Sequence, residues 1–221
     1  MRTRLQDDGA ADRQAQLAPG IHAVRAGRDL ILLDLAADDY LCLPECGPLK
    51  ISGAVVRGPM ETLLRLAAEE LLHSERTPAP HREVPPALPR TALTLPDTVR
   101  PTFRDLATFS VIWLDAARVC PTLYDLARRV QGRCGRQDDL AAIAARVEVF
   151  NRLLPLVPWT GACLLQAELL LRFLNAAGLD ADWVFGVRTW PFLAHCWLQV
   201  GDVCVSQVPE TLTIYRPIMV I

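Results

Sequence analysis

Two side chains in this sequence have the chemistry of a thiol nucleophile site. Cys163 stands in Trp159-Thr160-Gly161-Ala162-Cys163-Leu164-Leu165-Gln166, and thirty-two residues later His195 stands in Pro191-Phe192-Leu193-Ala194-His195-Cys196-Trp197. The reactive form of cysteine is the thiolate, and both a helix N-terminus and a nearby imidazolium favour its negative charge. Pro158 and Gly161 can form a turn. The mostly apolar run 164–176 reads as a helix, with Gly178 placed to stop it. Cys163 is therefore expected in the first turn of a buried helix, with His195 reaching it from a neighbouring strand. Alternation along 192–199 puts His195, Trp197 and Gln199 on one face of that strand and Ala194, Cys196 and Leu198 on the other.

A Cys–His nucleophile commonly needs a third group, here expected to accept a hydrogen bond from imidazole Nδ1 and so fix the tautomer facing sulfur. With a hairpin turn at Gly201-Asp202, the pairing strand is 203–207, and Gln207 or Ser206 is the candidate. Asp202 belongs to the turn and is expected to point to water, while Asp180 and Asp182 are weaker choices. The other histidines, His22, His73 and His81, fall earlier in the chain. Cys42-x3-Cys46 and the pair Cys196/Cys204 have spacings compatible with metal. A structural zinc wants four ligands in paired short spacings, so no metal site is expected. No Gly-rich phosphate loop and no basic–aromatic stripe for nucleic acid occurs.

Several elements must position this pair. Short strands are expected at 21–26, 30–35 and 40–43. Leu30-Ile31-Leu32-Leu33 is an apolar run short enough to be a strand buried on both faces. Residues 1–19 read as a polar leader. Met60, Leu63, Leu64, Ala67, Ala68, Leu71 and Leu72 recur at helical spacing. Five prolines between Pro78 and Pro89 read as an extended linker. Helices are expected near 101–119, 121–131 and 138–154, then strands at 181–187, 194–200, 203–206 and 218–221. Helices first and an antiparallel sheet after is an α+β order. The expected division is residues 1–77, a linker at 78–95, and residues 96–221.

The bulk composition fits that plan. The 221 residues are 51% hydrophobic and 22% charged, enough apolar content to bury a core. A net charge of −2 gives no case for nucleic acid or an anionic membrane surface. No apolar run is long enough to span a bilayer, and the first 20 residues lack the apolar core of a signal peptide. Seven cysteines without an export signal point to reduced thiols in the cytoplasm.

The second unit resembles the lasso-peptide biosynthesis B proteins, transglutaminase-like cysteine proteases that remove the leader from a ribosomally made precursor. The resemblance runs through Gly161-Ala162-Cys163-Leu164-Leu165, Ala177-Gly178, Trp183-Val184-Phe185-Gly186-Val187, the run 191–199 and Tyr215-Arg216-Pro217-Ile218. It implies a papain/transglutaminase-like α+β domain with Cys163 as nucleophile and His195 as general base and acid. The family's third member is an aspartate twelve residues past the histidine, and Gln207 holds that position here. The first unit is similar to a RiPP recognition element, a winged-helix-like unit of three strands and three helices. This second likeness rests on Gly27-Arg28-Asp29-Leu30-Ile31-Leu32-Leu33-Asp34-Leu35 and Tyr40-Leu41-Cys42-Leu43-Pro44.

In such domains a leader peptide adds as a further strand. Tyr40, Leu41, Cys42, Leu43, Leu64, Ala68 and Leu71 are the leader-binding residues the resemblance implies. It further implies as partners the precursor's leader and an ATP-dependent asparagine-synthetase-like cyclase, while nothing in the sequence shows ATP binding, so no cofactor is expected in this chain. The expected function is a cysteine endopeptidase that binds and removes a lasso-precursor leader. The alternatives are a leader-binding scaffold without catalysis and an acyltransferase of the same fold.

Overall fold

The structure, a computed structural model, describes residues 13–73, 84–118, 122–130, 139–157 and 163–221. The first of these stretches holds β1 (Arg13–Gln16), β2 (Ile21–Ala26), β3 (Asp29–Asp34), β4 (Asp39–Leu43), β5 (Lys50–Ser52), β6 (Val55–Gly58) and α1 (Met60–Ala68). The three strands expected from sequence are β2, β3 and β4, antiparallel in that order. A second sheet, β1-β6-β5, was not legible, because strands of three or four residues carry too little alternation. Arg13–Gln16 is thus a strand rather than part of a polar leader, and residues 1–12 of that leader lie outside the described residues. Of the three helices expected in this unit, α1 alone lies among the described residues up to 73.

The run Leu30-Ile31-Leu32-Leu33 is buried on both faces, as its sequence requires. Leu30 and Leu32 pack with Val56, Leu63 and Leu66. Ile31 and Leu33 pack on the opposite face, into the core of the second unit. Each fully buried leucine or isoleucine contributes roughly 1.5–3 kcal/mol.

The second unit holds β7 (Thr91–Ala92), α2 (Phe103–Arg118), α3 (Leu123–Val130), α4 (Leu140–Leu153), α5 (Cys163–Asn175), β8 (Asp182–Arg188), β9 (Leu193–Val200), β10 (Val203–Cys204) and β11 (Arg216–Val220). The five strands form one sheet in the order β11-β8-β9-β10-β7. Phe109 of α2, Phe150 of α4 and Phe173 of α5 meet in a triangle of rings with centroids 5.6–6.2 Å apart, which binds the three helices into one layer. That layer packs on the sheet face carrying Trp183, Phe185, Cys196 and Leu198. The other face carries Val184, Trp197 and Cys204 and is covered by Leu88, Leu212 and Tyr215. The fold is α+β.

Local chemistry starts the helices. Thr102 and Asp105 cap α2 reciprocally, Thr102 N–H donating to the carboxylate (2.8 Å) and Asp105 N–H to the Thr102 hydroxyl (3.3 Å). Arg146 of α4 hydrogen-bonds the same carboxylate and lies over the Phe173 ring, 3.7 Å from its centroid. At α5 the end is set by Gly178, whose φ of +76° suits glycine and lets Leu179 N–H reach the Leu174 carbonyl (3.1 Å).

The part of the proline-rich segment that is described, from Val84 on, has no regular structure before β7, yet it is fastened to the second unit. Gln199, fully buried, donates to the Ala87 carbonyl (3.0 Å) and accepts from the Trp197 indole (2.7 Å). Arg90 N–H donates to the Asp202 carbonyl (2.8 Å), and β7 then runs parallel to β10 inside the expected linker. Residues 78–83 of that linker lie outside the described residues.

The two units also meet directly. The Trp190 indole donates to Asp29 (3.0 Å), and Asp38 accepts from Leu123 N–H at the start of α3 (3.1 Å). The Tyr40 ring sits 5.4 Å from that of Phe192. Among the described residues no helix is long and apolar enough to cross a membrane.

Candidate active site

Cys163 is the first residue of α5, so its sulfur lies where backbone N–H groups have no helical partner. The turn expected over 158–161 lies outside the described residues. The strand facing this helix end is β9. Leu198 N–H, on the β10 side of β9, is taken by the Ser206 hydroxyl (3.0 Å), and Leu198 O accepts from Val205 N–H (2.8 Å). Cys196, two residues earlier, directs its N–H to the same side, beyond the end of β10. That N–H faces the Cys163 sulfur and favours its negative charge.

His195 faces the Cys163 sulfur closely enough that each favours the other's charged form. Its Nε2 lies 3.0 Å from Gln207 Oε1 and 2.8 Å from Gln207 Nε2. When Nε2 carries a proton, Oε1 is the acceptor. This corrects one expectation, because the third group meets Nε2 rather than Nδ1 and leaves Nδ1 as the nitrogen for sulfur. The Tyr215 ring lies 5.3 Å from the imidazole at 33°.

Charge follows this geometry. The Cys163 thiol is brought down to about 4, first by the Cys196 thiol and then by His195, against the opposing effect of burial. His195 is raised above 6.5, chiefly by Cys163, with Gln207 adding to the effect. At neutral pH Cys163 is therefore a thiolate, and His195 keeps its proton to higher pH than a free imidazole. Cys196, beside a thiolate and deeply buried, is held well above its ordinary value and stays a neutral S–H donor. The buried Trp183 indole N–H makes no hydrogen bond of ordinary length among the described residues. It faces the Cys196 sulfur and is the influence that lowers that thiol.

Tyr40 closes the site from the first unit. Burial, Cys196, Asp38 and Cys163 together push its phenol up to about 12, so it is neutral beside the thiolate. Sequence reading missed Tyr215 and the S–H role of Cys196, and it gave Tyr40 no link to Cys163. Nothing in a linear pattern signals a tyrosine over a hundred residues away in the chain.

The remaining candidates fall elsewhere. Ser206 caps the strand through its hydroxyl. Asp182 pairs with Gln199, and Gly186 pairs with His195, so Asp182 is at the far end of the sheet from the imidazole. Asp180 accepts from Ala181 N–H, and Asp202 is exposed in its turn. Of the residues implied to bind leader, Leu43 and Leu71 are buried in the first unit's core. Leu64 and Ala68 are exposed on the outer side of α1, and Leu41 is partly exposed on β4. Cys42, opposite Ile31, has its thiol raised by burial. β4 pairs with β3 alone among the described strands, leaving an open edge. Cys46 donates to the Arg28 carbonyl (3.4 Å), and Cys196 and Cys204 lie on opposite faces of their sheet. No cluster of three or more metal-ligating side chains occurs among the described residues.

Gly186, in register with His195, is the position where the sheet tolerates no side chain. A Cβ there would lie 2.7 Å from Trp197 Cζ3 and 3.2 Å from Tyr215 Cβ. Trp197 is fully buried and cannot swing away. Gly186→Ala is expected to cost about 1–3 kcal/mol in urea unfolding, and to lower turnover by moving the rings that hold His195.

A helix-borne thiolate against a strand-borne histidine, under an α layer on a mostly antiparallel sheet, defines a class. The sequence profile of the transglutaminase-like superfamily matches residues 109–220, half of the chain, and the chain belongs to that superfamily. Its similarity to an individual protein is local. Over 48 residues it is 43% identical to the microcin J25-processing protein McjB of Escherichia coli, covering 22% of this chain and 23% of McjB. The match thus spans about a quarter of that relative's length. Both likenesses support the resemblance to the lasso-peptide B proteins. No solved structure matches the chain significantly.

Proposed function

We propose that this chain is a cysteine peptidase that binds the leader of a lasso-peptide precursor and removes it. The observation that carries the reading is the Cys163 sulfur at the start of α5 facing His195, itself held by Gln207, within a transglutaminase-like domain. The likeness to a protein named for processing microcin J25 supports a peptide precursor as substrate.

The thiolate of Cys163 attacks the scissile carbonyl, and the Cys163 backbone N–H stabilises the oxyanion. His195 gives its proton to the leaving amine as the thioester forms. It then takes a proton from the water that releases the leader. Gln207 keeps the imidazole turned toward sulfur throughout. The leader adds along the open edge of β4, and Tyr40, at the end of that strand nearest the thiolate, guides the junction toward Cys163. The freed N-terminus passes to an ATP-dependent asparagine-synthetase-like cyclase. No cofactor is assigned to this chain.

The test is mass spectrometry of a lasso precursor incubated with this chain and the cyclase. Wild type is expected to release the leader. Gln207→Ala is expected to slow release about 10–100-fold, since an orienting partner is lost while sulfur and ring remain. A leader bound and never cut would instead identify a leader-presenting scaffold. An amide product formed with added amine would identify an acyltransferase.

A further inference from the structure

His195 sits where the second unit's sheet is least supported. β8 still has β11 beside it at Val187, opposite Arg216, but the rung joining Arg188 to Leu193 has no further strand on either side among the described strands. β10 pairs with β9 only at Gln199 and Val200, and Val205 N–H adds a bond to Leu198 O (2.8 Å). At His195, therefore, β9 has a strand neighbour on the β8 side alone. A two-stranded ribbon is marginal by itself, and the turn 189–192 that closes this one ends just before the imidazole.

The first unit braces that turn. The Trp190 indole N–H donates to Asp29 Oδ2 (3.0 Å), and the Phe192 ring meets that of Tyr40 (5.4 Å). Trp190 is 72% exposed, so burial does not fix its side chain and the bond at its tip does. Asp29 is 8% exposed. A buried carboxylate needs donors, and this one has Glu45 N–H on Oδ1 (3.2 Å) and the indole on Oδ2. Asp29 opens β3, the strand locked between both cores, which makes it a firm post for the turn.

We infer that Asp29 is a positioning residue for catalysis: through the Trp190 indole it holds the end of the β8–β9 hairpin, and with it His195, in place against Cys163. The inference rests on the peptidase reading of the Cys163–His195 site, and adds that the first unit builds the histidine's half of that site. Asp29 touches no substrate and acts only through the hairpin. Loss of the bond frees the turn and lets the imidazole move off the sulfur. Proton transfer to the leaving amine and support of the thiolate then fall together, while the open edge of β4 is untouched.

The test compares the wild-type chain with Trp190→Phe, which keeps a ring and removes the donor. Leader release from a lasso precursor with the cyclase is followed by mass spectrometry over a range of precursor concentrations. Trp190→Phe is expected to lower kcat about 10-fold, as a small misplacement of a catalytic group does, with KM unchanged. A second readout needs no substrate: the rate of iodoacetamide labelling of Cys163 at pH 5, mapped by peptide mass spectrometry. It is expected to fall at least about twofold, because the sulfur is a thiolate there in wild type and loses its cationic neighbour in the variant. Asp29→Asn added to Trp190→Phe is expected to cost nothing further, since the two side chains act as one contact.

Wild-type kcat and wild-type labelling in Trp190→Phe would overturn the inference. So would a loss confined to KM, or losses that add in the double variant. If the double variant does not fold, Trp190→Phe alone decides, because that side chain lies mostly on the surface. Slower labelling of Cys163 in a chain that never cuts a precursor would count against the peptidase reading alone.

Discussion

Cys163→Ala is expected to abolish leader release, with turnover falling at least about 10⁴-fold, while leader binding is unchanged. Removing the nucleophile of a Cys–His site removes the covalent route entirely, and what remains is positioning alone. Alanine suits the first turn of α5 as well as cysteine does, and the helix is held by Leu169, Leu170, Phe173 and Leu174 deep in the core. The loss is therefore chemical and leaves the fold intact. Release assayed by mass spectrometry and leader affinity by fluorescence anisotropy separate the two. Equal loss of both would mean that Cys163 serves the fold and not the reaction.

The second large effect is expected at His195, and it shows in pH as well as rate. The reacting state pairs a thiolate with an imidazolium. As pH falls through about 4, Cys163 takes up a proton and the rate declines. As pH rises through the histidine's value, raised above 6.5, the acid needed by the leaving amine is lost and the rate declines again. The wild-type profile is thus a bell, broad because the two values are driven apart by one mutual contact. His195→Ala is expected to lose about 10²–10⁴-fold in turnover. It should also lose the alkaline limb and shift the acid limb upward, since the thiolate loses a hydrogen-bonding cation. An alkaline limb that survives in His195→Ala would assign the acid to another group.

Much of this site was legible because its parts lie in strongly patterned segments. Cys163 opens a long apolar run ended by glycine, which can only be a buried helix. His195 lies in an alternating strand followed by Gly201-Asp202, a hairpin whose return places Gln207 level with the imidazole. The both-face burial of β3 was likewise written in four consecutive apolar residues.

What escaped depends on tertiary contact. The second small sheet is built from strands too short to show a period, and Lys50–Ser52 and Arg13–Gln16 are polar enough to pass for loops. The proline-rich segment looked like a free linker. Its fastening depends on Gln199, whose amide needs carbonyl partners once buried and finds one at Ala87. The choice of Nε2 over Nδ1 for Gln207 is a matter of ring orientation, set in part by Tyr215. Cys196 read as core by alternation, and it is core. Its influence on the Cys163 sulfur arises from the packing of α5 on β9, which no linear pattern shows.

The most direct test of the account is a rapid-quench experiment on wild-type chain, precursor and cyclase, with intact-protein and peptide mass spectrometry across the first turnover. The account predicts that a thioester joining the leader's new C-terminus to Cys163 appears before free leader accumulates and then decays. It also predicts that His195→Ala never forms it at a comparable rate. Leader released at the wild-type rate with no adduct on Cys163 at any time would contradict it.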